Sequence, residues 1–387
     1  MLSYLKCSLL LILCTKSAYC SLGDSFPTYR ECVVECKNNM CESDGISYQK
    51  AIYYYPFESL RWRCENECRY LCMWQTLVIF ENKGWKTPQF HGKWPFLRFL
   101  IFQEPASMLF SMMNFVTNFI LYKKLTKHFR PSSSMYLIYV ILSLVAMNCW
   151  LWSTLFHSRD TPFFETMDYL CAFSLNQYFF FIVFYRIFIA SRSNLIKFLF
   201  TSACLLFYVN HAWYLTTHDF DYTYNMSANI VFASTSIVLT LLWSYLNWRT
   251  LPHVQNLLVV SGLLALGGFF EITDFPPMLW ILDSHSLFHL VTVPIPLFLY
   301  KFAYHDGKYI NYKYITSSGC NVYRIHVDPY LDIDNYIEPE GICIIQNIQN
   351  TYKQSLEQLY IRKEYVDHMF YNDKHCLPFH LNPIFFT

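Results

Sequence analysis

Met135–Ser158 reads MYLIYVILSLVAMNCWLWSTLFHS, an apolar run without Asp, Glu, Lys or Arg that ends on Ser153 and His157, four residues apart. A run of this length spans the ~30 Å hydrocarbon core of a bilayer as one helix. Polar groups at membrane depth are costly and usually face a cavity or a metal rather than lipid. Working outward, further apolar runs predict seven spans, at 99–122, 135–156, 166–190, 195–216, 227–247, 254–272 and 278–300. Gln103, Glu104 and Pro105 interrupt the first, whose helix is expected to start near Ala106. The fold class expected is an all-α membrane protein, a seven-transmembrane helix bundle behind an N-terminal disulfide-rich lumenal domain.

Composition agrees. Only 15% of the 387 residues are charged and 54% are hydrophobic, whereas soluble domains carry about 25% charged residues. A net charge of +1 argues against a nucleic-acid partner. At the N-terminus, Lys6, an apolar stretch from Ser8 to Leu13, and Ala18-Tyr19-Cys20 read as a cleaved signal peptide over residues 1–20. Residues 21–98 follow as a lumenal domain containing Cys32, Cys36, Cys41, Cys64, Cys68 and Cys72. An even number of cysteines in an oxidising compartment predicts three disulfides of open connectivity. Cys64, Cys68 and Cys72 share one helical face, so each can reach a different partner. Residues 99–303 form the membrane domain, and 304–387 a cytosolic tail of unassigned function, rich in Tyr, Asn, Ile and Asp.

Loop charge sets the expected orientation. Lys123, Lys124, Lys127, Arg130, Arg192, Lys197 and Arg249 fall in alternate loops, against Arg159 in the others. The positive-inside rule then puts the N-terminus in the lumen and the C-terminus in the cytosol. Lys83, Lys86, Lys93 and Arg98 run against the rule. In this topology Ser153 and His157 end span 2 at the lumenal side, Asp168 begins span 3 there, and His285 and His289 lie in the lumenal half of span 7.

These five residues carry the chemistry. His285 and His289 stand one turn apart on a helix and can clamp one ion, with His157 as a third ligand. Three protein ligands and an open position is the pattern of catalytic zinc, so Zn2+ is the expected cofactor. Asp168 is the candidate general base, and Ser153 a donor to a developing oxyanion or to a metal-site water. A Ser153–His157–Asp168 triad is the competing reading. It lacks a G-x-S-x-G elbow and leaves His285 and His289 unexplained. Asp219, Asp221, Glu271, Asp274 and Asp283 read as solvated or helix-capping, and Asn225-Met226-Ser227 is a glycosylation sequon close to span 5.

Longer stretches add a resemblance. PQFHGKWPFLRFLIFQEPAS (Pro88–Ser107), WSTLFHSRDT (Trp152–Thr161) with MDY (Met167–Tyr169), FDYTYN (Phe220–Asn225), LPHV (Leu251–Val254) and DFPPMLWILDSHSLFH (Asp274–His289) are similar to the GPI-anchor fatty-acid remodelling family, the GPI-specific phospholipase A2-like proteins. That family resembles a wider set of seven-span hydrolases including alkaline ceramidases and adiponectin-receptor-like proteins. Their shared pattern would be met by Ser153, His157, Asp168, His285 and His289. The resemblance implies zinc-dependent removal of the sn-2 acyl chain from GPI-anchored proteins, the partners being those proteins and their lipid. It implies a Golgi membrane, or that of the endoplasmic reticulum. It covers about 26–303 and not the tail. The alternatives are a non-catalytic lipid receptor or trafficking factor for GPI-anchored proteins, and a ceramidase-like amide hydrolase.

Overall fold

The computed structural model describes residues 21–49, 62–128, 135–218 and 220–317, with side chains to 310. The expected signal peptide, Asp219 and the tail beyond Ser317 lie outside the described residues. Two units are distinguished, 1–130 with 136–302, and 131–135 with 303–387. Of the second, only Met135 and the helical stretch Ala303–Ser317 are described.

The described residues are almost entirely helical. Two helices, α1 (Pro27–Met40) and α2 (Cys64–Asn82), form an N-terminal hairpin. The bundle follows: α3 (Pro105–His128), α4 (Tyr136–Ser158), α5 (Pro162–Phe184, continued by a π-turn to Ile189), α6 (Asn194–Thr217), α7 (Tyr222–Asn247), α8 (Gln255–Thr273), α9 (Ser284–Thr292) and α10 (Ile295–Ser317). Among the described residues, six segments are long and apolar enough to cross a membrane: Tyr136–Ser158, Pro162–Ile189, Asn194–Thr217, Tyr222–Asn247, Pro252–Thr273 and Ser284–Ile310.

The expected first span differs from the rest. It forms helix α3, which begins at Pro105, one residue from the start expected near Ala106, because Pro at the first helical position fits its fixed φ and missing N–H. It is not among the six apolar segments. One face carries Ser107, Ser111, Asn114 and Asn118, all buried, and this polar stripe lowers its hydropathy. The expected seventh span is also corrected. Residues 278–282 form a tight bridge-closed turn, the helix opens at Ser284, and Pro294 interrupts it.

Local chemistry sets the starts of the bundle helices. Thr161 accepts from Phe164 N–H with Pro162 next in sequence, Asp221 accepts from Tyr224 N–H at 2.9 Å, and Asp283 accepts from Ser286 N–H at 2.8 Å. Each satisfies an orphan donor at a helix N-terminus. Asp221 and Asp283 are therefore the helix caps the sequence suggested. Asp274 instead accepts from Trp94 Nε1–H at 2.8 Å and Gln89 Nε2–H at 3.2 Å, tying the segment after α2 to the end of α8. Asn225 is 4% exposed inside α7, so its carboxamide is not presented for glycosylation in this fold.

Packing closes a ring in the order α3, α4, α5, α7, α8, α9 and back to α3, with α6 against the outer side of α5. Gly267 sits where α8 meets α9. A Cβ there would lie 3.0 Å from the Phe288 ring, so the missing side chain allows the two helices their close approach.

In the hairpin, Cys32–Cys72, Cys36–Cys68 and Cys41–Cys64 are disulfide-bonded. The i, i+4, i+8 spacing on α2 meets Cys32 and Cys36 on α1 and Cys41 just past its end, running antiparallel, which resolves the open connectivity as a nested ladder. Cys41, Cys64 and Cys68 lie close together, but as disulfide sulfurs they have no thiolate to offer a metal. Closing loops of 23 to 40 residues restricts the unfolded chain. Exchanging Cys36 and Cys68 together for Ser should cost about 2–5 kcal/mol. The expected readout is a lower unfolding midpoint of the purified full chain without reductant; an unchanged midpoint would show the bridge to be structurally idle.

Candidate metal centre

The last turn of α4 carries Ser153 and His157, with exposures of 2% and 1%. The chain just before α3 folds back onto this turn. Gln103 N–H donates to Ser158 O and Glu104 N–H to His157 O, both at 3.0 Å, satisfying carbonyls that a helix end leaves open. This places the Glu104 side chain on the His157 ring. His157 Nδ1–H donates to Glu104 Oε2 at 2.6 Å, and Lys93 Nζ donates to Glu104 Oε1 at 3.1 Å. Lys93 also pairs with Asp160 at 2.9 Å. Burial opposes the charge of Glu104, but Lys93 and then His157 more than offset it and hold the carboxyl well below its ordinary range. The same two carboxylates, Glu104 and Asp160, overcome the burial of Lys93 and push its pKa up.

On the opposite wall, His285 and His289 lie on one face of α9. His285 Nδ1–H donates to Glu271 Oε2 at 2.7 Å, across the contact that Gly267 makes close. His289 is held through its backbone, whose carbonyl accepts from Asn114 Nδ2–H at 2.8 Å, and through edge-on contact with Trp150. His289 Nε2 then lies 3.2 Å from His157 Nε2 and 2.9 Å from His285 Nε2. Three residues from α4 and α9 thus bring one nitrogen each to within 4.8 Å of the others.

That convergence fits a cation. With their Nδ1 protons given to Glu104 and Glu271, His157 and His285 present lone pairs at Nε2. His289 Nε2 can donate one hydrogen to one of them, so a second contact remains lone pair against lone pair. An ion accepting all three resolves it, and imidazole nitrogens suit zinc. Carboxylates behind two of the ligand rings are the usual outer partners that fix tautomer and orientation at such centres. His285 and Glu271 are part-exposed, whereas His157 and Glu104 are buried, so the open side of the group lies toward α8 and α9.

Asp168 on α5 is half-buried, coupled electrostatically to His157 and His285, and faces the Ser153 hydroxyl. Ser153 Oγ lies 3.1 Å from Ser111 Oγ, a contact made in the buried interface of α3 and α4. All five sequence-chosen residues therefore gather at one end of the bundle. The hydrogen bonds do not form a Ser153–His157–Asp168 triad: the carboxylate behind His157 is Glu104, and His157 Nε2 faces His289.

Sequence reading missed Glu104, Glu271, Lys93, Ser111 and Asn114. Glu104 was legible as a carboxylate interrupting an apolar run, which is a site signal by default. Glu271, expected to be solvated or capping, instead binds the ring of His285. Lys93 and Arg98 ran against the positive-inside rule. They are neutralised by Glu104 and Asp160 and by Glu67, the last at 2.9 Å. For a metal ion held by the three histidines, Glu104→Gln should weaken binding about 10–100-fold, as loss of an outer carboxylate does elsewhere. Metal titration of the purified chain against a zinc buffer checks this, and an unshifted affinity would remove Glu104 from the centre.

Comparison with known proteins was informative for sequence. Residues 55–307 match the Per1-like family. A human protein named GPI-specific phospholipase A2-like PGAP3 is 36% identical over 290 residues, covering 75% of this chain and 90% of the relative. A Xenopus tropicalis protein of the same name is 38% identical over 291 residues, 75% of this chain and 92% of the relative. The Drosophila melanogaster protein named post-GPI attachment to proteins factor 3 is 37% identical over 286 residues, 73% and 87% respectively. No solved structure matches.

Proposed function

Since the chain belongs to the Per1-like family, we propose that it remodels GPI anchors, hydrolysing the sn-2 acyl ester of GPI-anchored proteins with zinc held by His157, His285 and His289. The observation that carries this reading is the convergence of three imidazole nitrogens, two of them backed by carboxylates, at one end of a membrane bundle. A lipid ester lies near the headgroup boundary, and a site at the ends of membrane helices, in the last turn of α4 and the first turns of α5 and α9, suits that depth.

Zinc at such a centre supplies Lewis acidity and activates water at neutral pH. The protein's own groups do the rest. Asp168 takes the proton of the attacking water as its oxygen bonds to the acyl carbon, and returns a proton to the glycerol oxygen as the ester C–O bond breaks. Ser153 donates to the carbonyl oxygen as it gains charge, its hydroxyl oriented by Ser111. The products are a free fatty acid and a lyso-GPI. Glu104 and Glu271 keep the ligand rings in the Nδ1–H tautomer, and Lys93 holds Glu104 ionised and in place.

The compartment follows from the same reading. Three disulfides belong to an oxidising lumen, so the α1–α2 hairpin and the site face the lumen of the Golgi apparatus or endoplasmic reticulum, with the C-terminus cytosolic. Residues 1–20 are a signal peptide, 21–98 the lumenal domain, 99–303 the hydrolase domain and 304–387 a tail without assigned function.

The test is rescue. Cells lacking GPI remodelling receive the wild-type chain, and their GPI acyl chains are analysed by mass spectrometry. Exchange of unsaturated for saturated sn-2 chains is expected. Failure of the well-expressed wild type to restore it would overturn the substrate. Rescue by a chain that, once purified, does not itself hydrolyse the sn-2 ester would instead identify a non-catalytic factor.

A further inference from the structure

Two short turns adjoin the site along the chain, one just before Glu104 and the other just before His285. Phe99 and Phe102 exchange backbone hydrogen bonds at 3.1 and 2.9 Å, closing a turn with Leu100 near its tip. Met278 and Leu282 do the same at 2.7 and 3.1 Å, with Leu279 and Trp280 in the tip. The turns are joined, since Leu97 N–H donates to Trp280 O at 2.8 Å.

Their tip residues are unexpected in two respects. Leu100, Leu279 and Trp280 have φ of 55°, 53° and 60°, the left-handed region where tight turns normally place Gly, Asn or Asp. A leucine there is backbone-strained, and such outliers point to function. The strained leucines are also the most outward: Leu279 is 84% exposed and Leu100 70%, beside Phe99 and Met278, which are exposed as well. Trp280 alone turns inward, edge-on to Trp74 of α2 at 5.4 Å, and anchors the pair.

Place decides what covers this patch. Leu100 lies just before Pro105, the start of α3, and Leu279 just before Ser284, where a membrane segment opens. Ile272, at the end of α8 and so of another membrane segment, is exposed too. The turns thus directly precede helix starts of the bundle, on the side where Trp280 meets Trp74 of the hairpin. We propose that they form a paired apolar wedge that dips into the adjoining leaflet beside the metal centre. Its occupant is lipid, and it fixes the depth of the site relative to the ester. The inference takes from the proposed function only the membrane setting, which the helices give independently of zinc or substrate.

The test reads depth, not activity. The full chain, with every cysteine outside the three disulfides changed to alanine, carries Leu279→Cys, Leu100→Cys or Phe99→Cys, each labelled with an environment-sensitive fluorophore. Val34→Cys on α1, an exposed site remote from the turns in sequence, is the control. In phosphatidylcholine vesicles the three turn labels should lose most of their fluorescence to lipids brominated in the acyl chain and resist aqueous iodide, consistent with insertion about 5–10 Å into the headgroup–acyl boundary. The control should behave oppositely. Turn labels reached by iodide as readily as the control, or shielded from both quenchers, would overturn the wedge. Leu100→Asn with Leu279→Asn, which suits the left-handed backbone, should fold and lose bromolipid quenching at Phe99→Cys. Undiminished quenching there would also overturn it.

Discussion

His285→Ala is expected to remove zinc from the purified chain, from one ion per molecule to none, and to reduce ester hydrolysis to background. The reason is geometric. His285 and His289 stand one turn apart, and the centre has only three histidine nitrogens within reach of one another. Removing one leaves two imidazoles, and the Glu271 carboxylate loses the ring it orients. Structural support should persist, because His285 is part-exposed and packs at the open side of the group rather than in the core. Elemental analysis of the folded variant, paired with acyl-chain analysis in cells, separates the effects. Stoichiometric zinc in the variant would sink the three-histidine centre. Full hydrolysis with zinc absent would sink the metal mechanism while leaving the family assignment intact.

The second large effect concerns Asp168. Asp168→Asn keeps the shape of the side chain and removes its ability to take a proton. A general base contributes about 10²–10⁴-fold, so turnover should fall by that factor, about 3–5 kcal/mol of barrier. Zinc content should stay at the wild-type level, since Asp168 sits on α5 across from Ser153 and is not one of the three converging ligands. The pair of measurements matters. Loss of both zinc and activity would make Asp168 a ligand, and an activity within a few-fold of wild type would assign the proton transfer elsewhere.

The site was partly legible because its histidines follow helical spacing. Four-residue separations such as Ser153 to His157 and His285 to His289 place groups on one face whatever the rest of the chain does. Glu104 and Glu271 followed no such rule. Each meets its histidine through a contact between elements distant in sequence, 53 and 14 residues apart, and no local pattern announces such a pair. The polar stripe of α3 was missed for a related reason. Ser107, Ser111, Asn114 and Asn118 weaken the apolar signal on which span prediction rests, although burial of those residues against α4 and α9 is what lets a polar face exist there.

Sequence alone determined the helical membrane class, the six paired cysteines and the five polar residues that gather at one end of the bundle. These depend on composition, on the length of apolar runs and on periodicity, all of which are local. Tertiary structure alone decided which cysteines pair, where α9 begins, and which carboxylates hold the ligand rings. It also decided that Leu100 and Leu279 face outward on strained turns. Those outcomes depend on which distant segments pack together, and packing is fixed by the closed ring of helices rather than by any one of them.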